Sequence, residues 1–135
     1  MEELFLPLNV SATALEAQKI RMNTIASNIA NVNSTSSPDG GPYKRKDVMF
    51  ESYLYDESNV GVNISKIVED QRPPRKVYDP SHPDADKDGY VSYPNINTIE
   101  EMVNLIESSH AYEANLTLIA VYKDMYTKTL ALSQI

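Results

Sequence analysis

A chain of 135 residues, 41% hydrophobic and 23% charged, has the composition of one ordinary globular domain rather than of a disordered segment. Its net charge of −7, with Lys and Arg gathered into no long basic face, argues against nucleic acid as a partner. The absence of cysteine excludes disulfides, cysteine-ligated zinc and thiol nucleophiles. The opening Met-Glu-Glu-Leu-Phe-Leu-Pro lacks the basic start and apolar core of a secretory signal, and no later run is long enough to span a bilayer. By these conventional signals the chain stays in the cytoplasm unless another export route reads it.

The first helix is expected to start near Pro7 or Ser11 and to run to about Asn33. Leu8, Leu15, Met22 and Ile29 stand seven apart, with Ile25 and Val32 at the intermediate position and Ser11 and Gln18 weakening it earlier. Its far end holds Ser27, Asn28, Asn31 and Asn33 within a helical pattern. Such side chains compete with the backbone, so they point either to a fraying end or to close helix packing with hydrogen bonds across it.

Asn33 to Pro42, with a Gly-Gly pair, is a turn cluster. The basic triplet Lys44-Arg45-Lys46 follows; it suits a carboxylate-bearing partner or the solvated start of a strand. Val48, Phe50 and Leu54 alternate as one strand, and Val60, Val62, Ile64 and Val68 as a second, antiparallel to it. Arg72-Pro73-Pro74-Arg75 breaks the pattern. Val77 and Tyr78 make a third short piece and Tyr90 to Tyr93 a fourth.

Ile96 to Leu132 then reads as one amphipathic helix of about 36 residues, spanning about 54 Å. Met102, Leu105, Tyr112, Leu116, Ile119, Tyr126 and Leu130 form a stripe of nearly heptad period, with Ser109 and Lys123 as gaps. Ile99, Val103, Ile106, Ala114, Val121 and Met125 lie beside it, so the apolar surface is wider than a single partner helix needs. Burying about a dozen such side chains gives on the order of 20–35 kcal/mol, against about 1–2 kcal/mol of backbone ordering per residue. A lone partner leaves this helix marginal. The expected fold is therefore mainly α with a small β insertion: residues 1–33 and 95–135 pair as a coiled-coil-like stalk, and residues 34–94 form a β-hairpin-rich lobe.

One constellation resembles cation chemistry. Asp84, Asp86 and Asp88, with Gly89, Tyr90 and Ser92, follow the first nine places of a helix-loop-helix calcium loop. Asn95 stands where the bidentate glutamate belongs, and Pro80 and Pro83 deny the loop its entering helix, so the three aspartates are only a weak metal candidate. His82 and His110 lie far apart in sequence and suggest no catalytic pair. Glu100, Glu101, Glu107 and Glu113 are expected in solvent or pairing between helices. Neither a nucleophile motif nor a phosphate-binding loop is present, so no enzyme activity and no cofactor are expected.

The first helix's Ile25-Ala26-Ser27-Asn28-Ile29-Ala30-Asn31-Val32-Asn33 resembles the signature of the bacterial flagellar rod and hook protein family. Pro38-Asp39-Gly40-Gly41-Pro42-Tyr43 with its basic triplet is similar to the family's proximal rod branch. Val77-Tyr78-Asp79-Pro80, His82-Pro83-Asp84, Gly89-Tyr90-Val91, Pro94-Asn95-Ile96-Asn97, Glu100-Glu101-Met102-Val103 and Ala111-Tyr112-Glu113-Ala114-Asn115 continue in the same order. His110 departs from the arginine usual there, so a salt bridge the family assigns to that arginine is not carried over to it, and the family's acidic loop is often poorer in aspartate.

The resemblance implies a structural subunit of the rod, the shaft that carries motor torque to hook and filament. It also implies passage through the flagellar type III export apparatus without a cleavable signal, and a place in the basal body within the periplasm. The implied neighbours are copies of itself, other proximal and distal rod subunits, and export-gate or membrane-ring proteins at the rod base. The residues expected at the assembly interface are Leu15, Met22, Ile25, Asn28, Ile29, Asn31 and Val32 on the first helix. On the last they are Met102, Leu105, Ile106, Tyr112, Glu113, Asn115, Leu116, Ile119 and Tyr126. A calcium-responsive or coiled-coil adaptor module is the alternative.

Overall fold

The computed structural model describes residues 2–56 and 59–132. Helix α1 spans Glu2–Ala30, strands β1 and β2 span Lys46–Asp56 and Asn59–Glu69, β3 and β4 span Arg75–Tyr78 and Tyr90–Tyr93, and helix α2 spans Thr98–Leu132. All four strands lie where the alternation placed them. α1 starts earlier than expected and carries Pro7 inside it. So near the helix start, the missing N–H removes a single bond, to the carbonyl of Glu3, where few are yet made. At the other end the helix stops at Ala30, and a hydrogen-bonded turn closed by Asn31 N–H on the Ser27 carbonyl (3.1 Å) continues to Asn33. α2 begins under a cap: the Asn97 side-chain oxygen accepts the N–H of Ile99 at 3.1 Å.

The strands form two separate antiparallel ribbons, β1 with β2 and β3 with β4. In the longer one Lys46 faces Glu69 and Leu54 faces Val60; Met49 pairs Lys66 and Phe50 pairs Ile64, so Ser65 is left over as a bulge. In the shorter one Arg75 faces Tyr93 and Tyr78 faces Tyr90, and the two tyrosine rings meet edge-on, 5.3 Å between centroids. Gly89 turns the chain into β4 at φ +82°, against the Tyr78 ring.

α1 and α2 lie against each other, the last turn of α1 meeting the first turn of α2, so the two run antiparallel from that junction. α1 also lies on the β1–β2 ribbon and pins both its margins. Thr13 Oγ1 accepts the N–H of Val62 on β2 at 3.2 Å, and Asn28 holds Lys46 on β1. Arg21 stands over the Phe50 ring at 5.8 Å. The centre this builds is small and largely polar. Among the described residues the buried hydrophobic side chains are Ala17 and Ile25 on α1 and, apart from them, Val91 on β4, while Thr24, Asn28, Glu101 and Ser108 are buried polar residues of the two helices. Most of the large apolar side chains of α2 are left outside.

Candidate assembly surface and its polar clamp

The clamp is built on Asn28, which is 0% exposed. Its amide nitrogen donates to the Lys46 carbonyl at 2.8 Å and to Glu101 Oε2 at 2.9 Å. Its oxygen accepts the Lys46 N–H at 2.9 Å and the Tyr43 hydroxyl at 3.2 Å. Every hydrogen-bonding position of the amide is filled, which is what burial of a polar group demands. Glu101, 1% exposed, completes the clamp by taking Arg45 Nε on Oε1 at 2.7 Å. Arg45 also reaches Asp47 at 3.0 Å. Burial works against the charge of Arg45, but the hydrogen bonds to Glu101 and Asp47 and their negative charges outweigh it and raise the guanidinium pKa. One side chain from α1, one from the loop before β1 and one from α2 thus fix where three parts of the chain meet.

The basic triplet is therefore divided in its use. Arg45 is an internal ligand of Glu101, whereas Lys44 is exposed and only 3.6 Å from Glu69, and Lys46 stands over the Tyr43 ring at 5.8 Å. Sequence reasoning left Glu101 either in solvent or pairing between helices, without naming Asn28 and Arg45 as its partners. The available signal was the cluster of amides closing α1: buried asparagines need partners, and an Arg lay a short turn away.

Along α1 the heptad residues Leu8, Leu15, Met22, Ile29 and Val32 are half-buried and Ile25 is buried; Asn31 is half-buried and folds its amide onto the Ser27 carbonyl at 2.8 Å. On α2 the structure turns a different line from solvent than the apolar stripe predicts. Glu101, Leu105, Ser108, Tyr112, Asn115, Ile119, Tyr122 and Tyr126 are buried or half-buried. Leu105, Tyr112, Ile119 and Tyr126 belong to the predicted stripe, but the alternate places are one residue earlier, held by Glu101, Ser108, Asn115 and Tyr122. The physical reason lies at the junction: Glu101 has to reach Asn28 and Arg45, and that rotation carries Met102 and Leu116 outward. Met102 is 53% exposed and Leu116 44%. Asn115 folds its amide onto the Ala111 carbonyl at 2.8 Å. Glu113 is exposed, 3.9 Å from His110.

What remains outside is apolar surface on two stretches of α2, separated by the exposed polar residues Glu107, His110 and Glu113. Ile99, Met102, Val103, Ile106, Leu116, Leu118, Val121, Met125, Leu130 and Leu132 are all exposed, Ile99 to 74%. Single exposed apolar residues are ordinary, but two such clusters on one helix mark a contact surface. Chemistry finds less to work with. In the loop before β4, Asp86 Oδ1 takes the N–H of Asp88 at 3.0 Å and of Tyr90 at 2.9 Å, while Asp84 Oδ2 takes the Thr35 hydroxyl at 2.7 Å. The three aspartates do not converge, no helix enters the loop, and among the described residues no group of three or more His, Asp or Glu is arranged to hold a metal ion. The calcium-responsive alternative is not supported. His82 is a turn residue whose Nδ1 accepts the Asp84 N–H at 3.1 Å, and among the described residues no helix is long and apolar enough to cross a membrane.

Comparison with known proteins agrees with this architecture at both ends. Residues 8–37 match the family model described as "Flagella basal body rod protein", and residues 87–132 match "Flagellar basal body rod FlgEFG protein C-terminal". The chain is 42% identical to the flagellar basal-body rod protein FlgC of Borreliella burgdorferi, over 97% of its length and 98% of the relative's. It is 44% identical to that of Aquifex aeolicus, with 96% of each covered, and 40% identical to that of Salmonella typhimurium, with 93% and 95% covered. The matched ends are α1 with its polar turn and β4 with α2, the parts that carry Asn28 and Glu101 of the clamp and the exposed apolar residues of α2. Likeness of this extent along nearly the whole chain shows that it belongs to the family of flagellar basal-body rod proteins FlgC.

Proposed function

We propose that this chain is a structural subunit of the flagellar basal-body rod, one of the proximal subunits of the shaft that passes motor torque outward to hook and filament. The observation that carries the reading beyond kinship is the exposed apolar surface on α2, next to a helix pair whose interior is fixed by a buried clamp. Ten half-exposed apolar side chains gain roughly 10 kcal/mol in all when neighbours cover them, which is the same size as the about 4–15 kcal/mol that association costs. Each contact is then weak alone and secure in an array, as a helical tube requires.

In this reading residues 1–33 and 95–135 are the stalk, paired as a coiled coil, and residues 34–94 the lobe. The two groups of predicted interface residues do different work. Leu15, Met22, Ile25, Asn28, Ile29, Asn31 and Val32, with Leu105, Tyr112, Asn115, Ile119 and Tyr126, set the stalk; Met102, Ile106, Glu113 and Leu116 face neighbours. The neighbours are further copies, other proximal and distal rod subunits, and export-gate or membrane-ring proteins at the rod base. The subunit travels unfolded through the type III apparatus and functions within the periplasm. Its role is mechanical, without catalysis.

Leu116→Asp tests this directly. Because Leu116 is 44% exposed, the charge leaves the fold standing but places an ion in the contact. Motility and recovery of the subunit in basal bodies are expected to be lost while export of the monomer continues; a normally swimming strain would refute the assignment.

A further inference from the structure

The β1–β2 ribbon has two outer edges, and the hydrogen bonds to α1 tell which backbone groups face outward on each. Val62 gives its N–H to Thr13, so at every second residue of β2 there the backbone points away from β1. Lys46 exchanges both its backbone groups with Asn28, so on β1 the outward residues are Lys46, Val48, Phe50, Ser52 and Leu54. Asn28 closes this row at Lys46, and Asp47 Oδ1 takes the Val48 N–H at 2.9 Å. Among the described residues, nothing takes the N–H of Phe50, Ser52 or Leu54. The strand is eleven residues long, has no proline, and leaves Phe50 40% and Leu54 73% exposed. Proteins ordinarily bend, charge or cover such an edge.

β3 offers a matching edge. It pairs only with β4, all four of its residues are exposed, and it carries Arg75 and Lys76. On β1 the exposed charge beyond the clamp is Glu51, of opposite sign. Within the chain the two ribbons do not touch, so a β1–β3 pairing can arise only between molecules.

We infer that the open edge of β1 accepts strand β3 of a second copy of this chain. Set antiparallel with Arg75 opposite Glu51, the pairing places Val77 opposite Met49 and Lys76 opposite Phe50. Pro74 then faces Ser52, and its carbonyl receives the Ser52 N–H; lacking an N–H of its own, it leaves the Ser52 carbonyl without a strand partner and so ends the pairing. Each copy gives β3 and receives on β1, a heterologous contact that repeats without closing on itself. The inference rests on the rod-subunit reading and names one contact within it.

Because the chain contains no cysteine, crosslinking has no background. A chain carrying Glu51→Cys and Arg75→Cys, recovered in basal bodies and mildly oxidised, is expected to run as a ladder of covalent multiples, whereas each single variant runs as monomer. A double variant that enters basal bodies yet gives no ladder overturns the inference and leaves the rod reading standing, and so does a dimer formed by Glu51→Cys alone, which would mean a two-fold β1–β1 pair. Absence of the unmodified chain from basal bodies would overturn both. Ser52→Pro gives an independent answer in sedimentation of the purified full chain: its outward N–H makes no bond within the ribbon, so folding persists and self-association falls about tenfold. Unchanged association refutes the pairing.

Discussion

Replacing Glu101 by alanine strips the clamp of its only member from α2. Arg45, whose side chain is 14% exposed, keeps Asp47 but loses the 2.7 Å bond that balances its burial, and Asn28 is left with an unpaired amide hydrogen in a fully buried place. Removing one partner of a buried ion pair costs about 3–5 kcal/mol, and a buried donor left unsatisfied about 1–3 kcal/mol. The two overlap, and Asp47 offsets part of the loss, so about 3 kcal/mol is expected. For a domain whose total stability lies at about 5–15 kcal/mol this is a large share, and at this chain length it lowers Tm by roughly 10 °C. Urea unfolding of the full chain should show a lower midpoint at unchanged slope. Lys44→Ala is the control: its side chain is 59% exposed and 3.6 Å from a half-exposed partner, so its loss should stay within about 0.5 kcal/mol. A cost for Glu101→Ala below about 1 kcal/mol, or one equal to that of Lys44→Ala, would mean that the clamp does not hold the three segments together.

Two further outcomes follow from the β3–β4 ribbon. Gly89→Ala must adopt φ +82° with a side chain, and its Cβ would come within 2.9 Å of the Tyr78 ring and 3.2 Å of Pro80, so thermal unfolding is expected at least about 1 kcal/mol less stable, with the loss felt first in amide protection of residues 75–93. The carboxyl of Asp86 is held below the usual carboxylate value chiefly by the Tyr90 N–H, and that of Asp79 by the Ser81 hydroxyl and N–H. Since the folded values lie below the unfolded 3.8, the stabilisation is complete above that pH and is lost as pH falls through the lowered values. Carboxyl titration followed by NMR should place both below 3.8, and ordinary values would remove these turns from the account.

How far the sequence could be read depended on which force set each feature. The four strands and both helices were legible because alternation and seven-residue spacing record burial directly, as Val48, Phe50 and Leu54 or Leu8, Leu15 and Met22 do. The facing line of α2 was legible at Leu105, Tyr112, Ile119 and Tyr126 but not between them, because the apolar stripe through Met102 and Leu116 assumes that apolar residues face the nearest helix. Here the nearest helix presents Asn28, and satisfying one buried amide through Glu101 rotates that stripe toward solvent. In a subunit built to be covered by neighbours, the most apolar face of a helix need not be its intramolecular one. The Asp84–Asp88 loop, only a weak metal candidate from Asn95 and the prolines, could be read no further for a related reason: spacing shows which carboxylates are close in sequence, not that Asp86 turns onto the N–H groups of Asp88 and Tyr90. The asparagines at the end of α1 were the residues whose oddness in a helix carried information, and one of them proved to be the centre of the clamp.

The central claim is that the outer face of α2 belongs to an assembly rather than to the isolated chain. Hydrogen exchange on the full-length chain, at low concentration and again within isolated basal bodies, tests it most directly. The account predicts protection in the dilute chain for the β1–β2 ribbon and for the clamped helix ends, residues 20–30 and 98–106, with rapid exchange along residues 116–132, and strong protection of the whole of α2 once assembled. Full protection of both helices in the dilute chain, unchanged on assembly, would contradict it.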